Sequence, residues 1–125
     1  MTRLELIPGI HSVCKISAAR TIPEWAQGPF VQLSISDDEC TVVSLQENIP
    51  DGIEIESNWR LFRVAGVLDF SLVGIIAGIS KCLADARISI FVASTFLTDY
   101  ILVREESLDD AVDALQRADY DVSVS

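Results

Sequence analysis

Between two runs of β-branched and aromatic residues, the stretch ISIFVASTFLTDYILVREE sets Ser94, Thr95, Thr98 and Asp99. A carboxylate among hydroxyls can receive an ammonium or guanidinium group through charge-assisted hydrogen bonds, and Phe96 supplies an apolar wall beside it. Upstream, Asp69, Phe70, Ser71 and Gly74 lead into a stretch with helical periodicity. The start of a helix presents free amides and a positive dipole end that attract a carboxylate, and Gly74 lets a ligand approach the backbone of that first turn. A molecule bearing both charges, such as an amino acid, satisfies both ends if the two segments lie together, within one unit or across an interface. The same residues have a plainer use. Thr95, Thr98 and Asp99 are ordinary turn residues that bond nearby backbone. Asp69 or Ser71 can cap a helix, and Gly74 and Gly78 can let it pack closely. From the residues alone, both readings stand.

Catalysis finds little support. General acid–base and nucleophilic chemistry need a tuned nucleophile and base placed together. The single histidine, His11, lies in a strand pattern with no paired acid, and the chain has no G-x-S-x-G elbow and no glycine-rich phosphate loop. Cys14, Cys40 and Cys82 are far apart in apolar patterns, without a C-x-x-C, so buried thiols are expected and neither a metal nor another cofactor. The acidic run Asp37 to Glu39 reads as a solvated hairpin tip.

The elements that would carry these residues are legible mainly in the second half. Arg60 to Ala65 reads as a strand with a turn at Gly66. The apolar positions Leu72, Ile75, Ile76, Ile79, Cys82, Leu83 and Ala86 recur on one face of an amphipathic helix. Residues 88–96 and 100–103 predict an antiparallel strand pair. Ser107 with Asp110 forms a capping-box pattern before a second helix, and Tyr120, Val122 and Val124 alternate as a last strand. The order β, α, β, β, α, β is that of a ferredoxin-like α+β unit, with both helices on one face of a four-stranded antiparallel sheet. These strands are apolar on both sides, which predicts that a second sheet or a partner subunit covers the other face. The first half reads as mostly β, with separate strands on either side of Pro8 and Gly9, a further pair joined by the acidic turn, and at most one helical turn near Trp25.

Composition sets the outer bounds. A chain of 125 residues, half of them hydrophobic, can build a core of its own. No apolar run reaches the roughly 18 residues of a membrane span, and the start shows no secretory pattern, so a cytoplasmic protein is expected. A net charge of -10 repels phosphate backbones and anionic lipids, which argues against nucleic acid and membrane partners.

Residues 67–103 resemble the ACT-domain family, in particular the small tandem ACT-like proteins related to cytosolic arginine sensing. The carriers are a D-F-x-x-x-G loop (Asp69, Phe70, Gly74) running into an apolar helix, then I-S-I-F, then S-T-F-x-T-D (Ser94, Thr95, Phe96, Thr98, Asp99) leading into Y-I-L-V. The resemblance is strong over residues 58–124 and loose before them. It implies a C-terminal ACT domain at residues 58–125, preceded by a degenerate, mostly β ACT-like unit at residues 1–57. It also implies a non-catalytic regulatory protein that binds an amino acid or similar ligand where ACT units meet. The ligand residues it implies are Thr95, Phe96 and Asp99, with the loop of Asp69, Phe70 and Gly74. A homodimer reporting to an unidentified regulated protein is the expectation. The alternatives are a dimerisation or docking module without a ligand, and, more remotely, a small enzyme.

Overall fold

The computed structural model describes residues 2–17, 21–65 and 73–124. Among these residues, seven strands and two α-helices follow one another as β1 (Arg3–Ile16), β2 (Gln32–Ile35), β3 (Cys40–Leu45), β4 (Glu54–Val64), α1 (Ile75–Asp85), β5 (Ile90–Ser94), β6 (Asp99–Arg104), α2 (Leu108–Arg117) and β7 (Asp121–Val124). The chain divides into two compact units. Met1–Pro8 and Arg60–Ser125 form one, and Gly9–Trp59 the other.

In the C-terminal unit, β6 lies between β4 and β5, and β1 lies beside β4. Strand β7 pairs in parallel with β1, Leu4 opposite Val122 and Leu6 opposite Val124. The expected four-stranded antiparallel sheet is therefore wider by one strand and mixed. The physical reason lies in the first residues: Leu4 and Leu6 alternate toward the core, and β1 supplies the hydrogen-bonding edge that β7 uses. Phe62 and Val64 on β4, Ile101 and Val103 on β6, and Leu4 and Leu6 on β1 form one buried cluster with Ile79 and Leu83 of α1 and Ala111 and Leu115 of α2. Their period-2 and period-4 spacings show that both helices pack on the same sheet face. On the opposite face, Leu61 and Leu102 are also fully buried.

Helix α1 starts later than its apolar periodicity predicts, with Gly74 at the N-cap in a left-handed conformation (φ 83°). At Gly78 an added Cβ would lie 2.8 Å from the Tyr120 hydroxyl, so this glycine admits the ring of the last turn before β7. Helix α2 is entered through a 3-10 turn at Glu105–Ser107, and Ser107 makes no side-chain cap bond. The capping box expected from Ser107 and Asp110 is not formed, because that turn carries the chain in and Asp109 and Asp110 already complement the helix dipole.

In the N-terminal unit, β3 pairs antiparallel with both β1 and β2. Cys14, Ile16, Ala26, Cys40 and Val42 make its core, with Trp25, Leu33 and Ile53 packed against them. The β2–β3 tip is an exposed turn closed by the Ser36 hydroxyl, which accepts from the amides of Asp38 (3.3 Å) and Glu39 (3.2 Å). Pro8 and Gly9, expected to break the chain, lie inside β1, because Gly9 adopts φ 97° and keeps the strand going. Strand β4 is long as well, beginning at Glu54 between Ile53 and Ile55.

Candidate functional site

The β5–β6 hairpin carries five of the expected site residues, Ser94, Thr95, Phe96, Thr98 and Asp99. Ser94 and Asp99 face each other across the ladder, and the Thr95 amide donates to the Thr98 carbonyl at 2.9 Å. The Thr95 hydroxyl donates to the same carbonyl (3.1 Å) and accepts from the Thr98 amide (3.3 Å). The Thr95 side chain thus bonds the local backbone, as a turn residue does. Thr98 does more, because its hydroxyl donates to the Val64 carbonyl at 2.6 Å in a buried position. That contact sets the hairpin tip against the end of β4.

Alternation along β6 puts Asp99 on the same face as Ile101 and Val103, the helix-covered face, and Ser94 opposite it shares that face. Asp99 is half-buried. Among the described residues no Lys or Arg lies within ion-pair distance of its carboxylate, although Lys81, Arg63, Arg60, Arg117 and Arg3 are each paired with another acid. The far end of α1 leads through the Leu83 carbonyl to the Ile88 amide (2.9 Å) and so into the start of β5. The N-terminus of α1 therefore belongs to the sheet edge where β4 ends, β5 ends and β6 begins. Among the described residues, nothing lies within 4 Å of a Cβ added at Gly74. Asp99 and the amides of that first turn thus belong to one edge of one unit.

Phe96 at the hairpin tip is 78% exposed and Leu97 49%, with Val73 before the helix at 88%. Asp69, Phe70 and Ser71 lie outside the described residues. One partner and one burial escaped sequence reasoning. The Val64 carbonyl, being backbone, carries no residue signature, and the burial of Thr98 was hidden because an isolated Thr in a turn motif reads as exposed.

A separate dent in the N-terminal unit, beside Lys15, Glu39, Thr41 and Glu54, encloses about 140 Å³. Ligand pockets usually start at roughly 300 Å³, so it is too small to compete. No group of three or more potential metal ligands exists among the described residues. No helix there is long and apolar enough to cross a membrane. Burial pushes the Cys14 thiol up to about 11 and raises that of Cys82 as well, which makes both poor nucleophiles.

This layout, two helices on one face of a ferredoxin-like sheet, is that of an ACT fold. The chain belongs to the ACT-domain family, whose profile matches residues 54–117, while a second profile, described as an N-terminal domain, matches residues 9–52. Over 124 residues it is 33% identical to the mouse protein named cytosolic arginine sensor for mTORC1 subunit 1, covering 93% of this chain and 37% of that protein. It thus spans little more than a third of that relative's length. A crystal structure of an Agrobacterium tumefaciens protein matches with a TM-score of 0.91 at 32% identity, over 99% of this chain and 93% of that one. The ligand-free regulatory subunit of Thermus thermophilus aspartate kinase shares the fold, with a TM-score of 0.63 at 10% identity, over 92% and 96% of the two chains.

Proposed function

We propose that this protein is a non-catalytic regulatory module that binds a small ligand, an amino acid, at the edge where α1 begins and β6 starts. The observation that carries the reading is Asp99: a half-buried carboxylate on the helix-covered face, with no described cation to neutralise it. A ligand's ammonium or guanidinium group meets Asp99, and its carboxylate meets the free amides after Gly74. Ser94 and Thr95 flank the acid, and Asp69, Phe70 and Ser71, which lie outside the described residues, are included in the site because the family resemblance and the sequence motif imply them. The relative named an arginine sensor and the aspartate kinase regulatory subunits support a regulatory role of this class.

In this reading residues 58–125, completed by the first residues of β1, act as the ACT domain, and the rest of residues 1–57 as a degenerate second ACT-like unit, in a cytoplasmic protein. The exposed apolar tip of Val73, Phe96 and Leu97 favours a homodimer in which a second copy covers the mouth. The same exposure favours the competing reading, a docking module without a ligand. A thermal-shift screen of the proteinogenic amino acids separates them, because a ligand that prefers the native state raises the melting temperature by mass action. At least one amino acid is expected to raise it at millimolar concentration. No shift from any of them would leave the docking module.

A further inference from the structure

We propose that Thr98 is a positioning residue, whose buried hydroxyl fixes the root of the β4–α1 loop to the β5–β6 turn and so sets the spacing between Asp99 and the helix mouth. Its consequence for binding rests on the ligand reading above; the latch itself rests on geometry. Closing the hairpin does not require this hydroxyl, since the Thr95 amide and hydroxyl already bond the Thr98 carbonyl. Instead it reaches 34 residues back along the chain to the Val64 carbonyl at 2.6 Å, from a side chain that is 3% exposed. On the other side of that peptide, the Ala65 amide donates to the Arg3 carbonyl at 2.9 Å. The last peptide before the loop is therefore held at both of its polar groups, one by β1 and one by Thr98. The next residue after the latch is Asp99. Any slip of the loop root relative to the hairpin must break this buried hydrogen bond. The β-branched side chain also limits χ1, so the hydroxyl stays aimed at its acceptor.

The test compares Thr98→Val, which keeps the shape and removes the hydroxyl, with Thr98→Ser, which keeps the hydroxyl. Amide hydrogen exchange of the whole protein is read at Ala65, with Ile79 and Leu115 as reporters of the helices. In Thr98→Val, Ala65 is expected to exchange at least roughly tenfold faster while the helix amides stay as in the wild type, and Thr98→Ser is expected to restore it. The amino acid found by the screen should bind roughly tenfold more weakly to Thr98→Val and normally to Thr98→Ser. Unchanged exchange at Ala65 in Thr98→Val, or a Thr98→Ser variant as impaired as Thr98→Val, overturns the latch. If the wild type binds no amino acid, the ligand reading falls, and the exchange measurement still decides the latch. Should Thr98→Val not fold, the wild-type Thr98 hydroxyl proton decides it. Slow solvent exchange of that proton supports the bond, and exchange as fast as that of a surface threonine overturns it.

Discussion

Replacing Leu4 by Ala tests whether the first strand is part of the C-terminal core. Leu4 is fully buried among Phe62, Ile101, Ile79 and Leu115 and pairs across the ladder with Val122. Deleting a buried Leu side chain removes its transfer free energy and leaves a cavity, together costing about 2 to 5 kcal/mol. For a chain of this size, a loss near 3 kcal/mol lowers the melting temperature by roughly 10 °C. Val124→Ala, on the neighbouring strand opposite Leu6 but 82% exposed, should cost under about 0.5 kcal/mol. Urea unfolding measures both, and native-state amide exchange locates the damage. In Leu4→Ala, Ala111 and Leu115 of α2 should lose protection, with Val42 and Val43 of β3 as reporters of the other unit. A loss below about 1 kcal/mol, or protection lost only at Val42 and Val43, would refute the assignment of β1 to this core.

Two further outcomes follow from single positions. Gly9→Ala places a Cβ 2.6 Å from Leu45 Cδ2 at φ 97°, whereas Gly52→Ala at φ 90° meets nothing within 4 Å among the described residues. Urea unfolding should therefore show a cost of about 2 kcal/mol or more for the first and about 1 kcal/mol for the second. Burial lifts the Cys14 thiol from 9.0 to about 11. The folded chain thus keeps a proton that the unfolded chain releases first, so this stabilisation is complete below pH 9 and is lost as pH rises to about 11. Urea midpoints should fall across that window by up to about 3 kcal/mol of stability, with a flatter profile in Cys14→Ala, and a profile unchanged by the substitution would contradict the assignment.

The helices and the β5–β6 hairpin were legible because their patterns are strong: Ile79 and Leu83 stand four apart with Ser80 and Lys81 between them, and residues 88–93 and 100–103 are short runs dense in β-branched and aromatic residues on either side of a polar turn. The long strands were not. Pro8 with Gly9, and Asp51 with Gly52, carry turn chemistry, yet Gly9 takes a positive φ inside β1, and β4 extends back to Glu54. Nothing local reveals that Leu4 and Leu6 pair with a strand more than a hundred residues later, since long-range parallel pairing leaves no short-range signature. At the site, the residue types around Asp99 were visible, but their division of labour was not. A motif cannot say which threonine closes the turn and which one reaches another strand. Only the burial of Thr98 and its bond to Val64 separate the two roles.

Calorimetric titration of the amino acid chosen by the screen, against the wild type and Asp99→Asn, probes the central idea most directly. The carboxamide keeps the size of the side chain and removes its charge, so affinity should fall by roughly tenfold to a hundredfold, the scale of a hydrogen bond to a charged group. The same amino acid with its carboxyl group amidated should also bind poorly, because the helix amides then lose their anion. Equal affinities of Asp99→Asn and the wild type, for a ligand that does bind, would contradict a site built on Asp99.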